Sequence, residues 1–270
     1  MLPNASIGYK KVRDIKLSNN AAAVWRFRQF ILVILLAISG CSSSEDGTGK
    51  FNRDASLRIM AVGDSITHGV TRAYPSGSWR QPFTRSLDEE ACSYEMVGSQ
   101  LSNEIDDTFL SPHEAYAGHQ ANHFLTGRND GAGSNDGIFI SLANHFPELV
   151  LLHIGTNDAI DQQDNHETLA EIDQIISASI NRGADVLVAN LIPTYASSYL
   201  PGTDAHIEEL GDLINAYVTQ LANPGVVLVD VRSGYTSDMM FDDGIHPNDA
   251  GANHIAAAFY REFINADYCF

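Results

Sequence analysis

The run 149–154, Leu-Val-Leu-Leu-His-Ile, constrains the fold more than any other stretch of the chain. Side chains alternate faces along a strand, so apolar groups at consecutive positions demand cover on both sides of the sheet, as in parallel sheets flanked by helices. Runs at 57–62, 186–192 and 226–231 repeat that demand. Helical stripes lie between them. Over 167–182, Ile172, Ile175, Ile176 and Ile180 share one face and Gly183 offers a stop. A helix capped by Thr203 carries Ile207, Leu210, Ile214 and Leu221, and Pro247 opens a last helix in which Ile255, Phe259 and Phe263 recur every four residues. The stretches 79–91 and 138–146 also read as helices, and 94–98 as a strand. Strands alternating with helices predict an α/β three-layer sandwich around a five-stranded parallel sheet.

Chemistry in open α/β sheets collects at the C-terminal ends of the strands. The run 57–62 ends in Gly63-Asp64-Ser65, the run 149–154 ends in Gly155-Thr156-Asn157-Asp158, and Asp243-Gly244-Ile245-His246-Pro247 lies near the C-terminus. A serine hydroxyl becomes a nucleophile when a base takes its proton, and His246 is suited to that task. Asp243, three residues earlier in a turn containing Gly244, is placed to accept from the imidazole and fix its tautomer; Asp242 is the competing acid. An isolated Gly-Asp-Ser turn is more often a helix N-cap, so the three stretches together carry the reading.

The chain resembles the SGNH (GDSL-type) hydrolases, with Ser65 in the first block, Gly118 in the second, Asn157 in the third and Asp243 with His246 in the last. The resemblance covers roughly residues 57–263 and is strongest to carbohydrate acetylesterases. It implies a flavodoxin-like strand order, selects Asp243 over Asp242, and makes Ser65 N–H, Gly118 N–H and the Asn157 amide the expected oxyanion donors. Trp79 and Arg80 stand where those acetylesterases carry an aromatic-arginine pair: Trp79 either lines the cleft or anchors the core, and Arg80 either braces the loop 70–78 or is a surface charge. His119, where a tryptophan is usual, is a further substrate-binding candidate; Ala115 replaces a usual glycine. The implied activity is removal of short acyl groups, acetyl first, from carbohydrate. Lipase, thioesterase or arylesterase activity, or glycan binding without turnover, are the alternatives.

Other chemistries fit less well. No G-x-S-x-G elbow is present, since Thr67 occupies its last position, and no nucleotide-binding glycine motif occurs. His113, His119 and His123 invite a metal, yet no H-E-x-x-H pattern accompanies them, so no metal or other cofactor is expected. The Asn/Asp/Gly stretch 129–137 reads as turns rather than a calcium loop. The formal charge is −18; without residues 1–40, which hold six Lys/Arg and one Asp, ten basic residues face 33 acidic ones, a formal −23. Such a surface repels phosphate backbones and strongly anionic polymers, which argues against nucleic-acid partners.

Residues 1–40 read as an address. Lys10, Lys11, Arg13, Lys16, Arg26 and Arg28 precede the apolar run 30–38, which is too short to span a bilayer and meets Ser39-Gly40-Cys41. The ending resembles a bacterial lipoprotein box, with Cys41 as the lipidated residue and the polar stretch 41–56 as a tether to a hydrolase domain at 57–270. Ordinary secretion is the alternative. Export exposes cysteines to oxidation. In a flavodoxin-like order the helices preceding Cys92 and Cys269 lie side by side, so either a Cys92–Cys269 bridge or two buried thiols fits.

Overall fold

The computed structural model describes residues 56–69, 78–101, 111–129, 134–196 and 201–269. The leader 1–40, Cys41, the tether up to residue 55, the loop 70–77 and residues 130–133 of the Asn/Asp/Gly stretch lie outside them. In chain order the elements are β1 (Leu57–Gly63), α1 (Ser65–His68), α2 (Arg80–Glu89), β2 (Tyr94–Met96), β3 (Gln100–Leu101), β4 (Pro112–Ala115) and α3 (Ala121–Thr126). They continue with β5 (Arg128–Asn129), β6 (Ser134–Asn135), α4 (Ile138–His145), β7 (Leu149–His153), α5 (Thr156–Ile160) and α6 (Asn165–Asn181). The remainder is β8 (Asp185–Ala189), α7 (Thr203–Leu221), β9 (Val226–Val229), a 3-10 turn (Ser237–Met239) and α8 (Asp249–Asn265).

The main sheet runs β4-β1-β7-β8-β9, all parallel, with β3 antiparallel to β4 at the edge. The class matches the expectation; the strand count differs. The second strand is divided: β2 pairs the first half of β1, with Leu57 opposite Tyr94, while β4 pairs the second half, with Gly63 opposite Ala115. Gly98 marks the handover, where a Cβ would stand 2.3 Å from the His113 carbonyl carbon, so only glycine lets the chain leave the sheet under β4. The stretch 99–136, read as mostly loop, therefore holds β3, β4, α3 and the antiparallel pair β5–β6.

Both faces of the central strands are buried, which the consecutive apolar residues required. Ile59, Ala61, Leu149, Leu151 and Leu187 point into one core with Phe83, Leu87, Ile255, Phe259 and Phe263 from α2 and α8. Met60, Val62, Val150, Leu152 and Val188 point into the other, against Ile172, Ile175 and Ile176 of α6 and Ile207, Leu210 and Ile214 of α7. Cys92, just past α2, and Cys269, just past α8, are bridged, with their Cα atoms 5.0 Å apart. Helix starts moved by a residue or two. Pro247 pairs with Met240 in an isolated bridge instead of opening α8, whose cap is Asn248, accepting from Ala250 N–H and Gly251 N–H. Thr203 is the first residue of α7 and Gly202 its cap. Among the described residues no helix is long and apolar enough to cross a membrane.

Candidate active site

Strand β1 delivers Ser65. Gly63 must lack a side chain, because a Cβ there would meet His153 O at 2.3 Å and Thr67 Oγ1 at 2.4 Å. Asp64 then caps α1 by accepting from Ile66 N–H at 2.9 Å, which leaves Ser65 as the first helical residue. First-turn N–H groups have no partner within their helix, which leaves Ser65 N–H outside the bonding of α1.

His246 Nε2 lies 2.8 Å from Ser65 Oγ, and His246 Nδ1 lies 2.5 Å from Asp243 Oδ2. The other Asp243 oxygen accepts from Ile245 N–H and His246 N–H, both at 3.0 Å. Burial pushes the Asp243 carboxyl up, but those two amides and the imidazole outweigh it and hold its pKa below the ordinary carboxylate value. Gly244 makes the turn possible. It adopts φ +69°, and a Cβ would sit 2.5 Å from Ala196 N, while its carbonyl accepts from Tyr195 N–H (2.8 Å) and Thr194 Oγ1 (2.9 Å). The segment after β8 thus fastens the Asp243–His246 turn from the side.

Gly118 lies in the turn before α3 with φ +70°, and its N–H donates to no acceptor among the described residues. Asn157, in α5 after β7, donates one amide N–H to His119 O at 2.9 Å. A primary amide has a second N–H, which remains for a ligand. Serine, glycine and asparagine thus arrive from the ends of β1, β4 and β7, neighbouring strands of one sheet.

The outlying candidates are placed differently. Trp79 is fully buried, stacked on Phe259, and does not line a cleft; a large apolar ring between α2 and α8 belongs to the core. Arg80 is fully buried too, so it is neither a surface charge nor a substrate contact. It donates to Thr67 O (2.9 Å), His68 O (3.1 Å) and Ser111 O (2.9 Å), tying the last carbonyls of α1 to the segment that enters β4. His119 is buried with its ring stacked on Tyr116 at 4.8 Å, so it offers its carbonyl to Asn157 rather than its ring to a substrate. Among the described residues no three His, Cys, Asp or Glu side chains are grouped to hold a metal ion.

Sequence reading did not single out Thr194 or Asp158. Thr194 gives no local signal, because its partner is 50 residues away. Asp158 does leave one, an acid directly beside the candidate Asn157 after a fully buried strand.

A parallel α/β sheet with a Ser–His–Asp hydrogen-bond chain at its C-terminal edge is an architecture of the serine hydrolases, in the order Ser, Asp, His with the last two only three residues apart. Residues 61–253 match the GDSL-like lipase/acylhydrolase family, and the chain belongs to it. It is a carboxylic ester hydrolase. A carbohydrate esterase family 3 structure from Talaromyces cellulolyticus is 26% identical with a TM-score of 0.64, over 77% of this chain and 97% of that one. A serine-to-alanine acetyl esterase mutant solved with acetate ion is 27% identical with a TM-score of 0.60, over the same shares of the two chains. A multidomain esterase of Ruminococcus flavefaciens is 22% identical over 245 residues, which is 84% of this chain; the chain spans about a third (31%) of that protein.

Proposed function

We propose that the enzyme removes short acyl groups, acetyl first, from carbohydrate through an acyl-enzyme on Ser65. The hydrogen-bond chain from Ser65 Oγ through His246 to Asp243 carries the reading. Ser65 Oγ passes its proton to His246 Nε2 and attacks the ester carbonyl carbon. The oxyanion faces Ser65 N–H, Gly118 N–H and the remaining Asn157 N–H. His246 returns the proton to the departing sugar hydroxyl. Water then attacks the acyl-enzyme, gives its proton to His246, and acetate leaves as that proton returns to Ser65 Oγ. Throughout, Asp243 holds the tautomer and stabilises the imidazolium.

The substrate class draws its support from the two structural relatives, one named a carbohydrate esterase and the other an acetyl esterase. The test is hydrolysis of acetyl, butyryl and octanoyl esters and then acetylated xylan, with Ser65→Ala as control. Activity is expected to fall steeply with acyl length and to vanish in the control. Equal or rising activity toward octanoate overturns the acetyl reading, and a folded protein without turnover overturns the enzymatic one.

The same reading places the domain outside the cytoplasm on a lipid at Cys41, after removal of residues 1–40. The basic stretch, the short apolar run and the Ser39-Gly40-Cys41 ending support it, and a Cys92–Cys269 bridge suits an oxidising compartment. Expression of the full chain with a labelled fatty acid is expected to label it, and Cys41→Ala to abolish the label and release the protein from membranes. Equal labelling and partition of the two would overturn the anchor.

A further inference from the structure

Two consecutive residues of α5 hold the segment that carries Gly118. Asn157 Nδ2 donates to His119 O at 2.9 Å, and Asp158 Oδ1 accepts from Ala121 N–H at 3.0 Å. The second bond also serves the start of α3: the reciprocal exchange between Gln120 and His123 satisfies Gln120 N–H and His123 N–H and leaves the buried Ala121 N–H to Asp158. Asp158 is fully buried, and its Oδ2 finds no hydrogen-bond partner among the described residues. Burying a carboxyl with only half its acceptors used costs stability. An asparagine or serine at the same place would serve a plain helix start at lower cost.

We propose that Asp158 is a positioning residue for ester hydrolysis: through Ala121 N–H it fixes the Gly118 turn against Asn157, so that backbone and side-chain donors converge on one oxyanion. The inference rests on assigning Gly118 and Asn157 to that oxyanion. The two bonds flank Gln120, so the turn just before them is held from one short helix at two points. A glycine at φ +70° has no side chain to pin it; Arg128 Nη1 holds its carbonyl at 2.7 Å, and the two bonds from α5 restrain the residues that follow it.

The electrostatic setting agrees. Burial pushes the Asp158 carboxyl up to about 7, against the pull of Ala121 N–H and its own backbone N–H, and the acids Glu171 of α6 and Asp161 add to the rise. Asp64, the cap of the nucleophile's helix, is raised to about 7 as well, chiefly by burial and further by Asp158. Burial is the leading cause for both carboxyls, so Asp158 serves through its acceptor oxygen.

The test compares Asp158→Asn, which keeps an acceptor for Ala121 N–H, with Asp158→Ala, which does not, on an acetyl ester, with melting temperatures and Asn157→Ala measured alongside. Asp158→Asn is expected to keep kcat within about threefold. Asp158→Ala is expected to lose roughly tenfold to a hundredfold in kcat with little change in KM, since misplaced donors weaken the transition state and not the ground state. Should Asp158→Ala not fold, Asp158→Cys, close in size and a poor acceptor, takes its place. A folded acceptor-free variant with full kcat overturns the proposal, as does an Asp158→Asn variant that falls as far as Asp158→Ala. If Asn157→Ala keeps full kcat, the oxyanion assignment itself has failed, whatever the Asp158 variants do.

Discussion

The indole of Trp79 lies on the ring of Phe259 with centroids 4.4 Å apart and planes 11° apart, and its Nε1 donates to Thr67 Oγ1 at 3.3 Å. One side chain thereby joins α2, α8 and the helix that begins with Ser65. Removing it opens a cavity between the two helices, at a cost of about 3–5 kcal/mol. Trp79→Ala is therefore expected to lower the urea midpoint severely while leaving KM of the folded fraction near wild type. Trp79→Phe keeps a stacking ring but loses the Thr67 bond and leaves a smaller cavity, for about 1–3 kcal/mol. A raised KM in Trp79→Phe at unchanged stability would return the ring to the substrate cleft.

What the sequence shows and what it hides follow from range. The strands of consecutive apolar residues and the helical stripes at 172–180 and 207–214 are local patterns, and the parallel run β1-β7-β8-β9 with its flanking helices is found as they predict. Asp243 and His246 are legible because the two residues between acid and imidazole leave only one turn to fold. The divided second strand was not legible: it depends on Gly98 passing under the His113 backbone, a contact across 15 residues with no periodicity. Trp79 and Arg80 carried two readings because an aromatic-arginine pair looks alike at a cleft and in a core. Only the packing of α8 against Trp79, and the three carbonyls around Arg80, decide between them.

Asn157 makes a test of function separable from stability. Its bond to His119 O is a half-buried hydrogen bond, worth about 1 kcal/mol of stability. An oxyanion donor is worth roughly 3 kcal/mol of the barrier, about a hundredfold in rate. Asn157→Ala is expected to cut kcat by that factor with KM little altered and a modest drop in melting temperature. Unchanged turnover in the folded variant would remove Asn157 from the mechanism.

Gly244 is predicted to be irreplaceable for a different reason. Its φ of +69° strains any side chain, and the backbone of Tyr195 and Ala196 occupies the place of a Cβ. Gly244→Ala should displace the Asp243–His246 turn and lengthen the 2.8 Å approach of His246 to Ser65. The expected result is a kcat loss of a hundredfold or more, with retained far-ultraviolet circular dichroism. Activity within threefold of wild type would show that the turn can shift without cost.

The Cys92–Cys269 bridge closes a span of 177 residues between the ends of α2 and α8. A loop of that length restricts the unfolded chain strongly, for an expected contribution of about 3–5 kcal/mol. Cys92→Ser combined with Cys269→Ser should lose that much in urea unfolding, and reductant should destabilise the wild type but not the double variant. Equal stability of the two under oxidising conditions would show that the cross-link makes no net contribution through the unfolded chain.

Asp64 gives the stability of the protein a pH dependence with a definite sign. Burial, reinforced by Asp158, raises its carboxyl from 3.8 to about 7 in the folded state. Between about pH 4 and pH 7 the folded protein therefore holds a proton there that the unfolded chain has released, so stability falls as pH rises through that window and levels off above it. Three units correspond to a loss on the order of 4 kcal/mol. His153, buried and lowered to about 4 by desolvation, acts oppositely: the unfolded chain gains a proton below about 6.5 that the folded one refuses, so stability rises from pH 4 to 6.5. The two slopes overlap and partly cancel in the wild type. Asp64→Asn retains an N-cap oxygen for Ile66 N–H and does not titrate, which leaves His153 unopposed by this residue. The gain in unfolding free energy of Asp64→Asn over wild type is expected to grow steadily from pH 4.5 to 7.5 and then hold constant. Urea unfolding of both proteins across pH 4.5 to 8.5 measures it, and curves that stay parallel throughout would show that Asp64 is ionised in the folded protein at ordinary carboxylate pH.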